Sequence, residues 1–261
     1  MFLLSSVFDS NMYIFRKINH FYFFAHIKDM NREQQLTEYF KHKNNLYPLS
    51  INERSFQIFG DEKFLSSSEG KSLLNKYHIS LLSLNVYNTP EPFIYYCKQD
   101  SKSDKALIIE NKDTWYTMRK ILQDTGKICG IEFKALIYGE GRKIQNSFNY
   151  IKEEDTRDIH DVKTFYYFGD IDSTGLDIFY KIRKNYNEYT ILPFEPGYRY
   201  LLSQEGFKRV KSVKDNYLDA VKLLNLFPFF TNAENQRILD ICKGNMILPQ
   251  EILNYEKLKN W

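Results

Sequence analysis

Four short apolar runs recur between residues 106 and 193: ALII at 106–109, ALIY at 135–138, TFYYF at 164–168 and YTILP at 189–193. The stretches between them, 114–123, 145–154 and 176–184, read as helices. Strands this apolar need cover on both faces, and a helix between consecutive strands supplies it. The pattern therefore predicts an α/β fold, a parallel sheet of about four strands flanked by helices. Sheets of this kind receive ligands beyond the carboxyl ends of their strands. Three of these strand ends carry acids: Glu110 follows ALII, Glu140 follows LIYG, and Asp170 and Asp172 follow FYYFG.

The flanking sequence is less regular. With 261 residues the chain has room for two domains. Residues 31–42 read as a helix within a segment, 1–49, whose role the sequence leaves open. From Ser50, INERSFQIFGDEKFL reads as a short alternating stretch, followed by an amphipathic run at Leu73, Leu74 and Tyr77, so a small mixed α/β module is expected over 50–104. FIYYC at 93–97 reads as a strand, and the polar run QDSKSDK at 99–105 as a boundary linker. After residue 200 the chain reads as helical, with amphipathic stretches at 217–224 and 234–242 and a break at Pro249.

Several function classes can be set aside. Cys97, Cys129 and Cys242 are widely spaced and match no zinc or redox motif, the five histidines form no HExxH, and no phosphate-binding GxxxxGK[ST] occurs. The opening MFLLSSVF lacks a basic leader region and no run approaches the ~18 apolar residues of a spanning helix, so no membrane association and a cytoplasmic location are expected. A net charge of +3 permits nucleic-acid binding without requiring it. The 16% aromatic content fits A/T-rich codon usage at least as well as base stacking.

Phosphodiester cleavage requires an activated water and neutralisation of phosphoryl charge, which divalent metal ions provide. Magnesium prefers oxygen ligands and is held by one or two carboxylates plus substrate phosphate. In GDIDSTG, Asp170 and Asp172 are two residues apart, which in extended backbone puts both on one side, while Gly169 and Gly175 let the chain turn and a phosphate approach the next helix. Taken alone, the pair also fits a helix N-cap, and Glu110 also fits a cap for the helix beginning near Asp113. An acid at a second strand end, however, would repel the aspartates without an intervening cation. Arg142, Lys143 and Lys112 lie just beyond the strand ends and are the candidate DNA-backbone contacts, while FYKIRK and GFKRVKSVK also fit solvated faces.

The order of strand with Glu110, strand with Gly139-x-Gly141, and strand with Asp170-x-Asp172 resembles the Toprim domain of topoisomerases, bacterial primases and several nucleases. More narrowly, ERSFQIFGDEKFL, the ENK after the first strand, YFGDIDSTGLDIF and ILPQEIL resemble JetD, the nuclease subunit of the Wadjet anti-plasmid system, over roughly 50–261. The resemblance implies a Toprim domain at 105–261 with a C-terminal helical extension, preceded at 50–104 by a winged-helix-like module. Residues 1–49 stand where JetD proteins have a much longer arm. It also implies Mg²⁺ or Mn²⁺ held by Asp170 and Asp172, with Glu110 as ligand or general acid/base; Glu140 has no secure counterpart and is a possible helper.

The expectation is a metal-dependent DNA endonuclease, homodimeric and controlled by a condensin-like SMC complex. Two alternatives remain open: a topoisomerase-like transesterase with a tyrosine nucleophile, and a catalytically silent DNA-binding subunit.

Overall fold

The computed structural model describes residues 31–42, 47–204, 208–209 and 226–261. The expected amphipathic stretch at 217–224 and the basic Lys211 and Lys214 lie outside the described residues. The chain divides into two units, Met1–Thr89 and Pro90–Trp261.

In the first unit, α1 (Arg32–Lys41) opens on a capping box between Asn31 and Gln34. β1 (Leu49–Ser50) leads into α2 (Ile51–Phe59), where Ser50 Oγ accepts from the Glu53 amide and the Glu53 carboxylate accepts from the Ser50 amide. The alternation read from the sequence is thus a helix. Ser-x-x-Glu at its start and Gly60, at φ 67°, at its end are stronger local signals than the short apolar rhythm between them. α3 (Ser68–Lys76) and β2 (Val86–Tyr87) complete the unit. The helices enclose a small core of Leu36, Tyr39, Ile58, Phe59, Leu65, Leu74 and Leu84. β1 and β2 pair in parallel; among the described residues of this unit there is no antiparallel wing.

The second unit runs β3 (Tyr95–Cys97), β4 (Lys105–Ile109), α4 (Lys112–Thr125), the small hairpin β5 (Lys127–Ile128) and β6 (Ile131–Glu132), and β7 (Ala135–Tyr138). It continues through α5 (Ile144–Ser147), β8 (Thr164–Phe168), α6 (Ser173–Asn185), β9 (Thr190–Pro193), α7 (Glu195–Leu202), β10 (Lys208–Arg209), α8 (Asn232–Lys243), β11 (Met246–Ile247) and α9 (Tyr255–Lys259). The central sheet has the order β3-β7-β4-β8-β9. Four neighbouring strands are parallel, as expected, and β3 adds an antiparallel edge against β7.

FIYYC therefore belongs to this sheet and not to the preceding module, and the units divide at Thr89/Pro90 rather than after residue 104, because Tyr95 to Cys97 pair with Ile137 to Ala135. Ala106 to Ile109 are fully buried, and α4 covers them with Trp115, Met118, Ile121 and Leu122. α6 contributes Leu176, Phe179 and Ile182 to the same core, where each buried large apolar side chain contributes about 1.5–3 kcal/mol.

The helix expected over 145–154 is instead the four-residue α5 followed by 3-10 turns at Phe148–Lys152 and Glu154–Ile159. Asn, Ser, Phe and Tyr in this stretch are indifferent helix formers, and no side chain caps its start, so packing of Phe148 and Ile151 decides the path. Among the described residues, no helix is long and apolar enough to cross a membrane.

Candidate functional site

From β4 the chain passes to β7 on one side and later returns to β8 on the other. Connections leaving β4 and β8 diverge at such a switch in direction, which opens a crevice at the carboxyl ends of the two strands. Glu110 is the first residue past β4, and its amide donates to the Phe168 carbonyl at 3.0 Å, so the two strand ends are level.

The Glu110 carboxylate reaches across to β8. Tyr167 donates its hydroxyl hydrogen to Glu110 Oε2 at 2.9 Å, and the same oxygen lies so close over Gly169 that a Cβ there would collide with it. A Cβ at Gly175 would sit 3.3 Å from that oxygen and 2.5 Å from the Asp170 carbonyl. The two glycines thus make room for the glutamate against the GDIDSTG loop, where the sequence suggested room for a phosphate.

Asp170 and Asp172 are fixed by different neighbours. Asp170 Oδ1 accepts from the Gln250 amide at 2.8 Å and from Gln250 Nε2 at 3.3 Å. Gln250 arrives on a C-terminal 3-10 turn, Gln250–Ile252, anchored by a bridge between Ile171 and Leu248. Asp172 is the N-cap of α6, its Oδ1 accepting from the Gly175 amide at 2.7 Å. The capping role and the candidate ligand role fall on one side chain.

Burial and mutual repulsion set the electrostatics. Burial lifts Glu110 to about 7, reinforced by the charges of Asp170 and Asp172 and opposed by the Tyr167 hydrogen bond and Arg142. Asp170 is lifted to about 6 by burial, against the Gln250 amide. Asp172 is also raised by burial, although the Gly175 and Thr174 amides and Arg142 pull it back. Tyr167 is fully buried beside Glu110 and titrates far above the usual phenol range, so it serves as a hydrogen-bond donor.

Glu110 and Asp170 open onto a cleft of about 410 Å³ whose walls also include Lys112, Tyr138 and Gln250. Of the other sequence candidates, Lys112 stands at this cleft, 4.0 Å from Asp113. Arg142 pairs with Asp177 at 2.9 Å, and its charge reaches Glu110 and Asp172. Glu140 is exposed, in a left-handed turn at φ 52°, and binds Lys143 at 2.9 Å; Lys143 also meets Glu91 at 3.3 Å. Glu140 and Lys143 therefore form a separate surface pair.

The donors facing the cleft are oxygens, suited to a hard cation, and burial leaves these carboxylates short of compensating charge. They do not form a closed cage. Among the described residues no three Asp, Glu, His or Cys side chains are grouped to hold one ion, and one oxygen of each carboxylate here accepts from a protein donor. The expectation of three acids sharing one cation is corrected to that extent. Holding by one or two carboxylates, with water and substrate phosphate completing the shell, remains compatible with magnesium or manganese.

Tyr167, Gln250 and Asn111 were not singled out as site residues from sequence. Tyr167 gives no signal of its own within an aromatic strand, whereas a Gln-Glu pair inside the apolar ILPQEIL does mark polar duty in a buried segment.

Fold and site together define an α/β protein with a desolvated acidic cleft at the switch point of a mostly parallel sheet. The family model described as Wadjet protein JetD, C-terminal, matches residues 68–258, and the chain belongs to that family. Comparison with curated proteins returns no match.

Proposed function

We propose that this protein is a Toprim-type, Mg²⁺- or Mn²⁺-dependent DNA endonuclease, serving as the nuclease subunit of a Wadjet-like defence system against plasmids. One observation carries the proposal: Glu110, from one strand, packs directly over Gly169 of the next, so that two buried carboxylates, Glu110 and Asp170, feel each other's charge at the carboxyl ends of neighbouring central strands. Like charges gathered in this way are costly unless a cation is part of the working state.

Bound metal would neutralise phosphoryl charge and acidify a water molecule. Asp170 and Asp172 would hold it. Glu110, with its carboxyl near 7, is suited to exchange a proton at neutral pH. Lys112 at the cleft and Arg142 nearby would meet backbone phosphates. Family membership supports work alongside other Wadjet components; a condensin-like SMC complex as controller, a homodimer with one site per strand, and a DNA-docking role for the first unit are parts of the same proposal.

The test is incubation of the purified protein with supercoiled and linear plasmid in Mn²⁺, Mg²⁺ or EDTA, beside Glu110→Gln. Metal-dependent breaks with free 5′-phosphates, lost in the variant, are expected. A covalent protein–DNA adduct would instead indicate a tyrosine nucleophile. DNA left intact under every metal condition, including with partner components present, would indicate a non-catalytic subunit.

A further inference from the structure

Gln250 lies 139 residues from Asn111 and 80 from Asp170, yet touches both. It is 1% exposed. Its amide and Nε2 donate to Asp170 Oδ1, and its Oε1 accepts from the Asn111 amide at 3.4 Å, one residue past Glu110. Asn111 in turn caps α4 through Oδ1 and donates from Nδ2 to Glu251 at 2.7 Å. The C-terminal turn thus closes the switch-point crevice from a third direction and ties the ends of β4 and β8 together.

We infer that Gln250 is a positioning residue for the metal centre: it holds the Asp170 carboxylate by one oxygen and so orients it at the cleft. This rests on the metal-dependent reading above. The chemistry of the side chain favours that role. A lysine or arginine at 250 would neutralise Asp170 and compete with a cation, whereas the uncharged Nε2, at 3.3 Å, adds a second donor to the backbone amide at 2.8 Å and leaves the charge of the carboxylate available. With both Gln250 donors on Oδ1, Oδ2 would be left to serve a cation. Neutral groups hydrogen-bonded to metal ligands set ligand orientation in this way, and their loss typically lowers metal affinity about 10–100-fold. Glutamine also donates and accepts at once, which the junction between Asp170 and the Asn111 amide requires.

The experiment is titration with Mn²⁺ alone, read by loss of the free-ion EPR signal, on the full chain. Wild type is compared with Gln250→Ala, Gln250→Met, Glu110→Gln, Asp170→Asn and the Gln250→Met/Asp170→Asn double variant, each first checked for a cooperative melt. Gln250→Met keeps the volume of the buried side chain where alanine leaves a hole. Both Gln250 variants should bind Mn²⁺ about 10–100-fold more weakly. In the Asp170→Asn background, Gln250→Met should change affinity less than about twofold, because the carboxylate it positions is already gone; a general packing defect would weaken binding equally in both backgrounds. Gln250 variants binding as tightly as wild type, while Glu110→Gln or Asp170→Asn binds more weakly, would overturn the role of Gln250 and leave the metal centre standing. Wild type taking up no Mn²⁺ would overturn both.

Discussion

β4 and β7 are hydrogen-bonded neighbours running the same way, and a glutamate follows each, yet the two glutamates meet opposite fates. Glu110, at the switch point, is drawn inward over Gly169, loses water, and is lifted to about 7. Glu140, past Gly139, stands in solvent on a left-handed turn and is paired with Lys143. Strand-end position alone therefore does not make a candidate catalytic acid. What separates the two is burial beside other acids against an exposed contact with a base, and topology decides which strand end receives which.

The sharpest way to break this comparison is to remove each charge in turn. Glu110→Gln should lower metal-dependent DNA cleavage on the order of 10³-fold or more, in a plasmid-nicking time course. Equal loss in Glu140→Gln would erase the distinction between the two strand ends.

A second effect should appear without metal or DNA. Because Glu110 is lifted from an ordinary 4.5 to about 7, the folded state holds its proton where the unfolded state has released it. Its contribution is most favourable at low pH and is lost as pH rises from about 4.5 through about 7, worth up to about 3 kcal/mol. Melting of the metal-free protein should accordingly fall between pH 5 and 7.5, and Glu110→Gln should flatten that slope. Mn²⁺, which binds the ionised form, should stabilise wild type more at pH 7.5 than at pH 5. A slope unchanged in Glu110→Gln would assign the titration to other groups.

Asp172 combines two roles that substitutions can separate. Asp172→Ala should cost about 0.5–2 kcal/mol of stability in denaturant melts through the lost cap, whereas Asp172→Asn retains a good capping group. Both should weaken Mn²⁺ binding. If Asn restores metal affinity along with stability, Asp172 is a cap alone.

The smallest effect is expected at the surface pair. Lys143→Ala or Glu140→Gln should change stability by less than about 1 kcal/mol and cleavage by no more than about threefold.

The parallel sheet was readable because its strands are buried on both faces, so ALII, ALIY and TFYYF stand out as apolar runs with acids one or two residues beyond them. β3 was readable as a strand but not as a member of this sheet, since an antiparallel edge pairing with β7 leaves no local mark of its partner. In α2 the apolar rhythm over nine residues reads as alternation, whereas the capping box at Ser50 and the left-handed Gly60 mark the helix. That Glu110 and the GDIDSTG loop leave neighbouring strand ends followed from topology. The donors that turn each carboxylate, Tyr167 from 57 residues away and Gln250 from 80, depend on tertiary packing that periodicity does not encode.

The central claim, that the crevice between the β4 and β8 ends is a divalent-metal site, is tested most directly by an Mn²⁺-soaked crystal. An anomalous peak about 2.0–2.3 Å from an oxygen of Glu110, Asp170 or Asp172 is the predicted result. A crevice with no peak at saturating Mn²⁺, or a peak at Glu140 in its place, would contradict it.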